Sequence, residues 1–225
     1  TLLYAKYLQK LKENVDKNAV LLDVGAGGGD FIALCDELTD FELHAMEFSE
    51  NSAALLKSIV GSDNLYRDEI SNTKFNSDKF DIITMFGVLE HIDNDNEFLQ
   101  SCYFHMKQGS FLIINVPSIP ELFSKYDNAV GHIRRYKKRD LKNLLIKNEF
   151  KISLLHYWGF LLIPLLFFRK IMMNLSKQNN EEIIKKGMDT QSKTVTFVIN
   201  MLKYIELKFL RISILGSSLI SIVKK

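Results

Sequence analysis

Residues 20–31, Val20-Leu21-Leu22-Asp23-Val24-Gly25-Ala26-Gly27-Gly28-Gly29-Asp30-Phe31, limit most tightly what this chain can become. An apolar run too short for a helix meets a glycine cluster and then resumes at helical spacing through Phe31, Ile32, Leu34 and Cys35. That order predicts a buried strand, a tight turn and a helix. Glycines let backbone amides come close to a bound molecule, and the start of the following helix offers unpaired N–H groups and a positive dipole end. The stretch therefore reads as a ligand-binding turn.

The details of the turn separate two ligand classes. A dinucleotide fingerprint requires G-x-G-x-x-G, whose third glycine allows close helix packing. Counting from Gly25, Asp30 occupies that position, whereas Gly25, Gly27 and Gly29 fit G-x-G-x-G. Asp23, just before the turn, would repel a pyrophosphate but pair with an ammonium group, directly or through water. These residues disfavour a nicotinamide dehydrogenase and favour a zwitterionic ligand. Roughly eighteen to twenty residues on, the spacing at which an acidic side chain meets ribose hydroxyls in such folds, Phe41 to Glu47 reads as a second strand ending in a carboxylate. Glu47 is the predicted ribose clamp.

Helical and strand patterns then alternate. A first helix carries Leu3, Tyr7, Leu8 and Leu11 on one face. A helix capped by Ser49 follows the second strand, with a short third strand near Leu65-Tyr66 and a fourth from Phe80 to Met85. Asp93-Asn94-Asp95 caps a helix reaching to about Lys107, Gln108-Gly109 ends it, and Phe111 to Val116 forms a fifth strand stopped by Pro117. Leu141 to Lys147 is helical and Phe150 to Leu155 a sixth strand. Such alternation predicts a doubly wound α/β sheet with ligands at the carboxyl ends of the strands. Asp81, at a strand start, reads as a structural hydrogen bonder. The chain's 29 Lys+Arg against 27 Asp+Glu give a net charge of +2, so no strong field argues for nucleic acid. Cys35 and Cys102 lie in helical patterns without metal-ligand spacing and read as reduced thiols of a cytosolic protein.

At this point the sequence resembles the class I S-adenosylmethionine-dependent methyltransferases. The matching residues are Leu21 to Gly29, Glu47 followed by Phe48-Ser49, and Phe80-Asp81-Ile82-Ile83 with Gly87-Val88-Leu89-Glu90-His91-Ile92, together about the first half of the chain. The resemblance implies S-adenosyl-L-methionine as cofactor, S-adenosyl-L-homocysteine as product, and Asp23, Gly25, Ala26, Gly27, Glu47 and Phe48 as cofactor contacts. Asp68, with Glu69 beside it, falls where family members hydrogen-bond the adenine amino group. Met85, Phe86 and Gly87 fall beside the methyl donor. His91 is the first candidate base, since imidazole titrates near neutrality; the alternative is a histidine that fixes the loop. Glu90-His91 resembles part of a metal-assisted site in some quinone O-methyltransferases, but the further acidic position is here Phe86, so no metal is expected.

The loop from Ser118 to Tyr136 is long enough to be functional. Its Gly131-His132-Ile133-Arg134-Arg135-Tyr136 resembles the G-H-x-R-R-Y segment of a bacterial methyltransferase subgroup acting on cell-surface glycan and lipid-linked substrates. His132 is the second candidate base, and Tyr126, His132, Arg134, Arg135 and Tyr136 form the expected acceptor site, with an arginine gripping a phosphate or carboxylate. The alternative is a solvated basic cluster continuing through Lys137, Lys138 and Arg139.

From Tyr157 the texture changes. Residues 158–168 are almost wholly apolar, yet the run is shorter than the roughly 17 to 25 residues needed to span a bilayer. Ser176 to Ser192 is polar and reads as a linker, and Lys193 to Ile212 returns to helical spacing. The closing Gly216-Ser217-Ser218-Leu219 and basic tail resemble the last strand of the same subgroup. The expected architecture is thus a seven-stranded, mostly parallel Rossmann-like sheet whose last strand is antiparallel, with a C-terminal helical insertion. Residues 1–159 and 216–225 would form the cofactor-binding core and residues 160–215 the insertion, serving as a substrate cover, a homodimer surface or a membrane-facing patch. The chain opens on Thr1 rather than methionine, so the protein is expected to begin earlier, with its substrate lid in the preceding segment. The functional expectation is O-methylation of a glycan or lipid-linked intermediate by a cytoplasmic enzyme, at the inner face of the membrane if the insertion touches lipid. The rivals are methylation of a quinone-like aromatic and a non-catalytic scaffold that retains the pocket.

Overall fold

The computed structural model describes residues 2–73, 75, 78–175, 193–209 and 214–225. Seven strands, β1 (Val20–Val24), β2 (Glu42–Met46), β3 (Leu65–Tyr66), β4 (Phe80–Phe86), β5 (Met106–Pro117), β6 (Lys151–Trp158) and β7 (Ser218–Lys224), form one sheet in the order β3-β2-β1-β4-β5-β7-β6. All pairings are parallel except those of β7, which runs antiparallel to both β5 and β6. Among the described residues there are eight α-helices: α1 (Leu2–Lys12), α2 (Asp30–Leu38), α3 (Glu50–Val60), α4 (Asp95–His105), α5 (Lys125–Ala129), α6 (Lys138–Lys147), α7 (Ile163–Leu175) and α8 (Lys193–Phe209). The seven-stranded α/β architecture with a reversed last strand is the one expected.

The apolar strands serve two cores at once, because successive side chains leave opposite faces of a sheet. Leu21, Ile82 and Ile113 pack with Leu8 and Leu11 of α1, Ile32 and Cys35 of α2 and Leu56 of α3. Their neighbours Leu22, Ile83 and Leu112 pack with Leu99 and Cys102 of α4 and Leu141 and Leu145 of α6. Both cysteines are buried free thiols. Asp81 accepts from the Val20 amide at 2.9 Å and the Lys107 ammonium at 2.7 Å, tying β1, β4 and β5 together as a structural hydrogen bonder.

Three local expectations change. α4 stops at His105 and β5 begins at Met106, not Phe111. Met106 pairs with Phe80 and Phe111 with Ile82, so the intervening residues, Gly109 at φ +80° among them, bulge out of the ladder. The Lys225 ammonium donates to the Met106 carbonyl at 2.7 Å, closing this bulge. Ser49 stands at the N-cap of α3 without a side-chain cap bond; the Glu47 carboxylate instead accepts from its amide at 2.8 Å. The long loop after β5 contains a 3₁₀ turn, Pro120–Leu122, and the short helix α5, started by a capping box between Ser124 and Asp127. The polar stretch 176–192 and the expected helix end at residues 210–212 lie outside the described residues.

One buried carboxylate fastens the C-terminal helix to the sheet. Glu206 of α8 accepts from the amides of Gly159 at 2.6 Å, Phe160 at 3.0 Å and Leu161 at 3.2 Å. These amides follow β6, where Gly216 also passes so close that an added Cβ would lie 2.4 Å from the Trp158 carbonyl oxygen. Replacing Glu206 by alanine leaves three donors without their acceptor. The expected cost is about 2–4 kcal/mol, read as a lower urea midpoint, with partial recovery in Glu206→Gln; an unchanged midpoint for the alanine variant would contradict this role.

Candidate active site

β1 and β4 are sheet neighbours, and the chain leaves them in opposite directions, to β2 and β3 on one side and to β5 on the other. Their carboxyl ends thus flank the crevice where open α/β sheets bind ligands. The glycine turn is pinned there: the amides of Gly25 and Ala26 donate to the Met46 carbonyl at 2.8 and 3.0 Å, and that of Gly27 donates to the Glu47 carboxylate at 2.7 Å. Gly25 has φ +67°, and a Cβ there would lie 2.5 Å from Val88 Cγ2, so only glycine fits between this turn and the segment after β4. Gly28, by contrast, has open space where its Cβ would stand, and Gly27 has only a carbonyl oxygen at 3.9 Å.

Asp23 lies beneath this open patch, buried, and accepts from Thr84 Oγ1 at 2.6 Å. Burial drives its pKa up to about 7 against the Thr84 hydrogen bond, with the negative charge of Glu47 adding to the rise. A positively charged group placed nearby would reverse that penalty. The two carboxylates and the uncrowded glycine backbone suit a ligand that combines positive charge with hydroxyl groups. Tyr4 of α1 belongs to the same region and was not singled out from the sequence: its pKa is raised by burial and by the charges of Asp23 and Asp30. Its ring packs 4.4 Å from Phe86 and 5.6 Å from Phe31. The signal was present as an aromatic next to Leu3, but helical spacing gives no indication of nearness to Asp23.

The other expected cofactor residues divide. Phe48 is an exposed ring beyond β2 and Gly87 lies at the end of β4. Asp68 is exposed and accepts from the Glu69 amide and the Asn72 side chain, closing its own loop. Met85 is a correction: its side chain is wholly buried in the core between sheet and α4, because alternation along β4 turns it away from the crevice. Phe86 completes the aromatic trio with Tyr4 and Phe31.

The two candidate bases come together although 41 positions separate them in sequence. The rings of His91 and His132 lie 4.8 Å apart, edge to face. His91 sits in a 3₁₀ turn, Leu89–His91, and donates Nδ1–H to the Gly131 carbonyl at 3.0 Å. His132 donates Nδ1–H to Asp127 Oδ1 at 3.0 Å, and its Nε2 faces Glu90 Oε1 at 3.8 Å. Since a carbonyl and a carboxylate only accept, both neutral histidines keep Nε2 as their basic atom. The Ile133 amide donates to the Glu90 carbonyl at 2.9 Å, which straps the loop over the turn.

Two buried acids complete the cluster: Asp127, which the sequence does not single out, and Glu90, which it offers only as part of a metal site. Asp127 is fully buried. Burial works to raise its pKa, but the His132 hydrogen bond, the charge and hydrogen bond of Arg135 and a Ser124 hydrogen bond outweigh that and hold it down at about 2. Glu90 lies buried with Oε2 unpartnered, and burial pushes its pKa up to about 7 despite the opposing pull of His132 and Arg135. Burial, with the charge of His132, lowers the pKa of His91. Neither acid could be ranked from sequence, since an ordinary loop carboxylate and a buried one look alike there.

The expected acceptor-gripping residues have other partners. Arg135 pairs with Asp127 at 2.7 Å and donates to the Ser118 carbonyl. Arg134 pairs with Asp95 at 2.7 Å and donates to the Asp93 carbonyl. Neither guanidinium is free to take an anion without giving up a carboxylate, because the loop uses both to hold its own shape. Tyr136 is a correction: it is buried, and its hydroxyl bonds to Asp95 at 2.9 Å. Burial and the Asp95 charge raise its pKa. Tyr126 lies half-buried beneath the Arg169 guanidinium at 4.1 Å. Glu90, His91 and His132 each present a ligand atom, all within 4.8 Å of one another, so the cluster has the donor types of a divalent-cation site. The sequence expectation of no metal weighed Phe86 and not His132, which arrives from a different segment.

Comparison with known proteins gives the family. A family model described as a methyltransferase domain matches residues 2–155. A ubiquinone biosynthesis O-methyltransferase from Glaesserella parasuis is 31% identical over 107 residues, 42% of this chain and 44% of that protein; the match thus spans less than half of the relative's length. Among solved structures, an S-adenosylmethionine-dependent methyltransferase from Archaeoglobus fulgidus superposes with a TM-score of 0.61 at 22% identity, covering 100% of this chain and 93% of the other. The phosphoethanolamine N-methyltransferase 2 of Haemonchus contortus, in complex with S-adenosyl-L-methionine, gives 0.62 at 14% identity over 99% and 52%. At these identities the structural likenesses establish the fold.

Glu90 makes this site's stability depend on pH. Its folded pKa, about 7, exceeds its ordinary 4.5, so the folded state binds the proton more tightly. The associated stability is fully present below pH 4.5 and is lost as the pH rises through about 7. A Glu90→Gln variant lacks that slope. Measured by urea unfolding, it is expected to gain stability relative to the wild type between about pH 5 and 8, by up to about 3 kcal/mol; parallel pH profiles would contradict the assignment.

Proposed function

Because the chain belongs to the methyltransferase-domain family, we propose that it transfers the methyl group of S-adenosylmethionine to a hydroxyl oxygen, on a glycan or lipid-linked acceptor. The observation that carries this reading is the Asp127–His132 pair, a base with its tautomer fixed, set beside Glu90 and His91. A hydroxyl is a poor nucleophile until its proton has somewhere to go, whereas a neutral amine needs no such partner.

The cofactor, when bound, supplies a methyl group already activated by a sulfonium. The work left to the chain is alignment, exclusion of water and removal of one proton. His132 Nε2 accepts the hydroxyl proton as the oxygen–carbon bond forms. The resulting imidazolium is stabilised by Asp127, which stays ionised at any working pH because its pKa is held near 2. Glu90, with a pKa near 7, can accept a second hydrogen bond from the acceptor or meet the imidazolium as an anion. Asp23 and Glu47 are assigned to the cationic and hydroxyl groups of the cofactor, and Gly25, Ala26 and Gly27 to its backbone cradle.

A polar cleft of about 320 Å³ opens beside His91 and is lined by Glu69, Ser71, Asp93, Asn94 and Ser101 among others. Such a lining suits the many hydroxyls of a sugar better than a flat apolar ring. The quinone-like reading keeps one specific support, the O-methyltransferase relative from Glaesserella parasuis; both readings share transfer to oxygen. A lipid-linked acceptor places the enzyme at a membrane surface, and no helix among the described residues is long and apolar enough to cross one.

Transfer of a labelled methyl group is to be followed into two probes, a polyprenyl-linked hexose and a catechol. Label in the hexose is expected; label in the catechol alone would exchange the acceptor class. Against the productive probe, His132→Ala is expected to lower kcat by about 10²–10⁴ and Asp127→Asn to shift the acidic limb of the pH profile, both with unchanged affinity for S-adenosylhomocysteine. Undiminished kcat in His132→Ala would remove the base from this account.

A further inference from the structure

The helices α7 and α8, between β6 and β7, both pack against the turn at residues 160–162, and each presents large apolar side chains that the sheet does not cover. On α7, Phe167, Phe168, Met172 and Leu175 are 56%, 61%, 52% and 78% exposed; on α8, Phe197 and Phe209 are both 67% exposed. Soluble surfaces rarely gather so many large side chains without a partner. The charges that accompany them are of one sign. α7 carries no acidic residue and α8 carries only Glu206, which is buried on the Gly159–Leu161 amides. The other charged residues of these helices are Arg169, Lys170, Lys193, Lys203 and Lys208.

From this combination we infer that α7 and α8 form a docking surface for an anionic lipid bilayer. The phenylalanines, Met172 and Leu175 enter the headgroup boundary, while the lysines meet lipid phosphates, the division of labour of helices that lie in the membrane interface. Charge separates this occupant from a second copy of the chain. A two-fold contact sets the same patch against itself, which would bring cations against cations with no exposed acid on either helix to answer them, whereas an anionic bilayer complements the lysines.

The surface also borders the candidate active site. The Lys170 ammonium donates to the Glu121 carbonyl at 2.5 Å, and Arg169 covers Tyr126, the residue preceding Asp127. The loop carrying the Asp127–His132 pair therefore rests on the helix that meets the lipid, so an acceptor held in the bilayer by an apolar tail would present its polar head at the catalytic loop. The proposal rests on the O-methyl-transfer reading for what is delivered, and not for the surface itself.

Co-sedimentation of the full chain with phosphatidylcholine vesicles, with and without phosphatidylglycerol, tests it. Binding is expected only with phosphatidylglycerol and is expected to weaken with salt. The double variant Phe167→Ser with Phe168→Ser should reduce partitioning at least tenfold, and Lys203→Glu with Lys208→Glu should abolish the preference for the anionic lipid. Circular dichroism and S-adenosylhomocysteine affinity, measured on the same samples, should match the wild type. Failure to bind anionic vesicles, equal binding by the folded phenylalanine variant, or a stable dimer in light scattering that this variant dissolves would each overturn the inference. Loss of S-adenosylhomocysteine binding with vesicle binding intact would instead count against the methyl-transfer reading alone.

Discussion

The ligand-facing edge depends on how closely the turn after β1 approaches the segment after β4. Gly25, at φ +67°, leaves Val88 no more room than a hydrogen atom requires. That contact brings the carboxyl ends of two adjacent parallel strands together at the point where the sheet's order reverses. Asp23 and the glycine backbone come from one strand, and the 3₁₀ turn with Glu90 and His91 from the other. The glycine turn and the Glu90–His91 turn thus meet along one wall, as in-line transfer between a cofactor and an acceptor bound there would require.

The second constraint is electrostatic. A carboxylate as deeply buried as Asp127 is costly unless its charge is answered, and the chain answers it with Arg135, Ser124 and His132 together. The arginine therefore serves the histidine. Neutralising Asp127 in part, it lets the carboxylate remain ionised and orient the imidazole without drawing the whole site away from neutrality. Glu90 stands in contrast, buried and with one oxygen unpartnered, a group whose environment favours the proton until something arrives to bind it. Two acids with pKa values driven apart in one small volume are a mark of a working site.

Much of this was legible in the residues. The Val20–Phe31 stretch carried its strand, turn and helix because glycine spacing and apolar period are local signals, and the alternation that follows carried the doubly wound sheet. The reversed β7 came from the resemblance of its closing sequence. What the sequence could not supply was company. Arg134 and Arg135 looked like free cations because their partners, Asp95 and Asp127, are ordinary acids until the loop folds. Tyr136 and Met85 looked available because local pattern does not tell which side of a strand or loop faces the crevice. The start of β5 was misplaced because Gln108-Gly109 reads as a helix stop, whereas a bulge closed from the far end of the chain by Lys225 makes it part of a strand.

Methyl transfer at this edge requires that the turn, Asp23 and Glu47 bind the methyl donor. Calorimetric titration of the protein with S-adenosylhomocysteine, beside Asp23→Ala and Glu47→Ala variants of verified fold, tests it most directly. The wild type is expected to bind, and each substitution to weaken binding at least tenfold, about 1.4 kcal/mol. A folded wild type that does not bind, or variants that bind as tightly as it does, would contradict it.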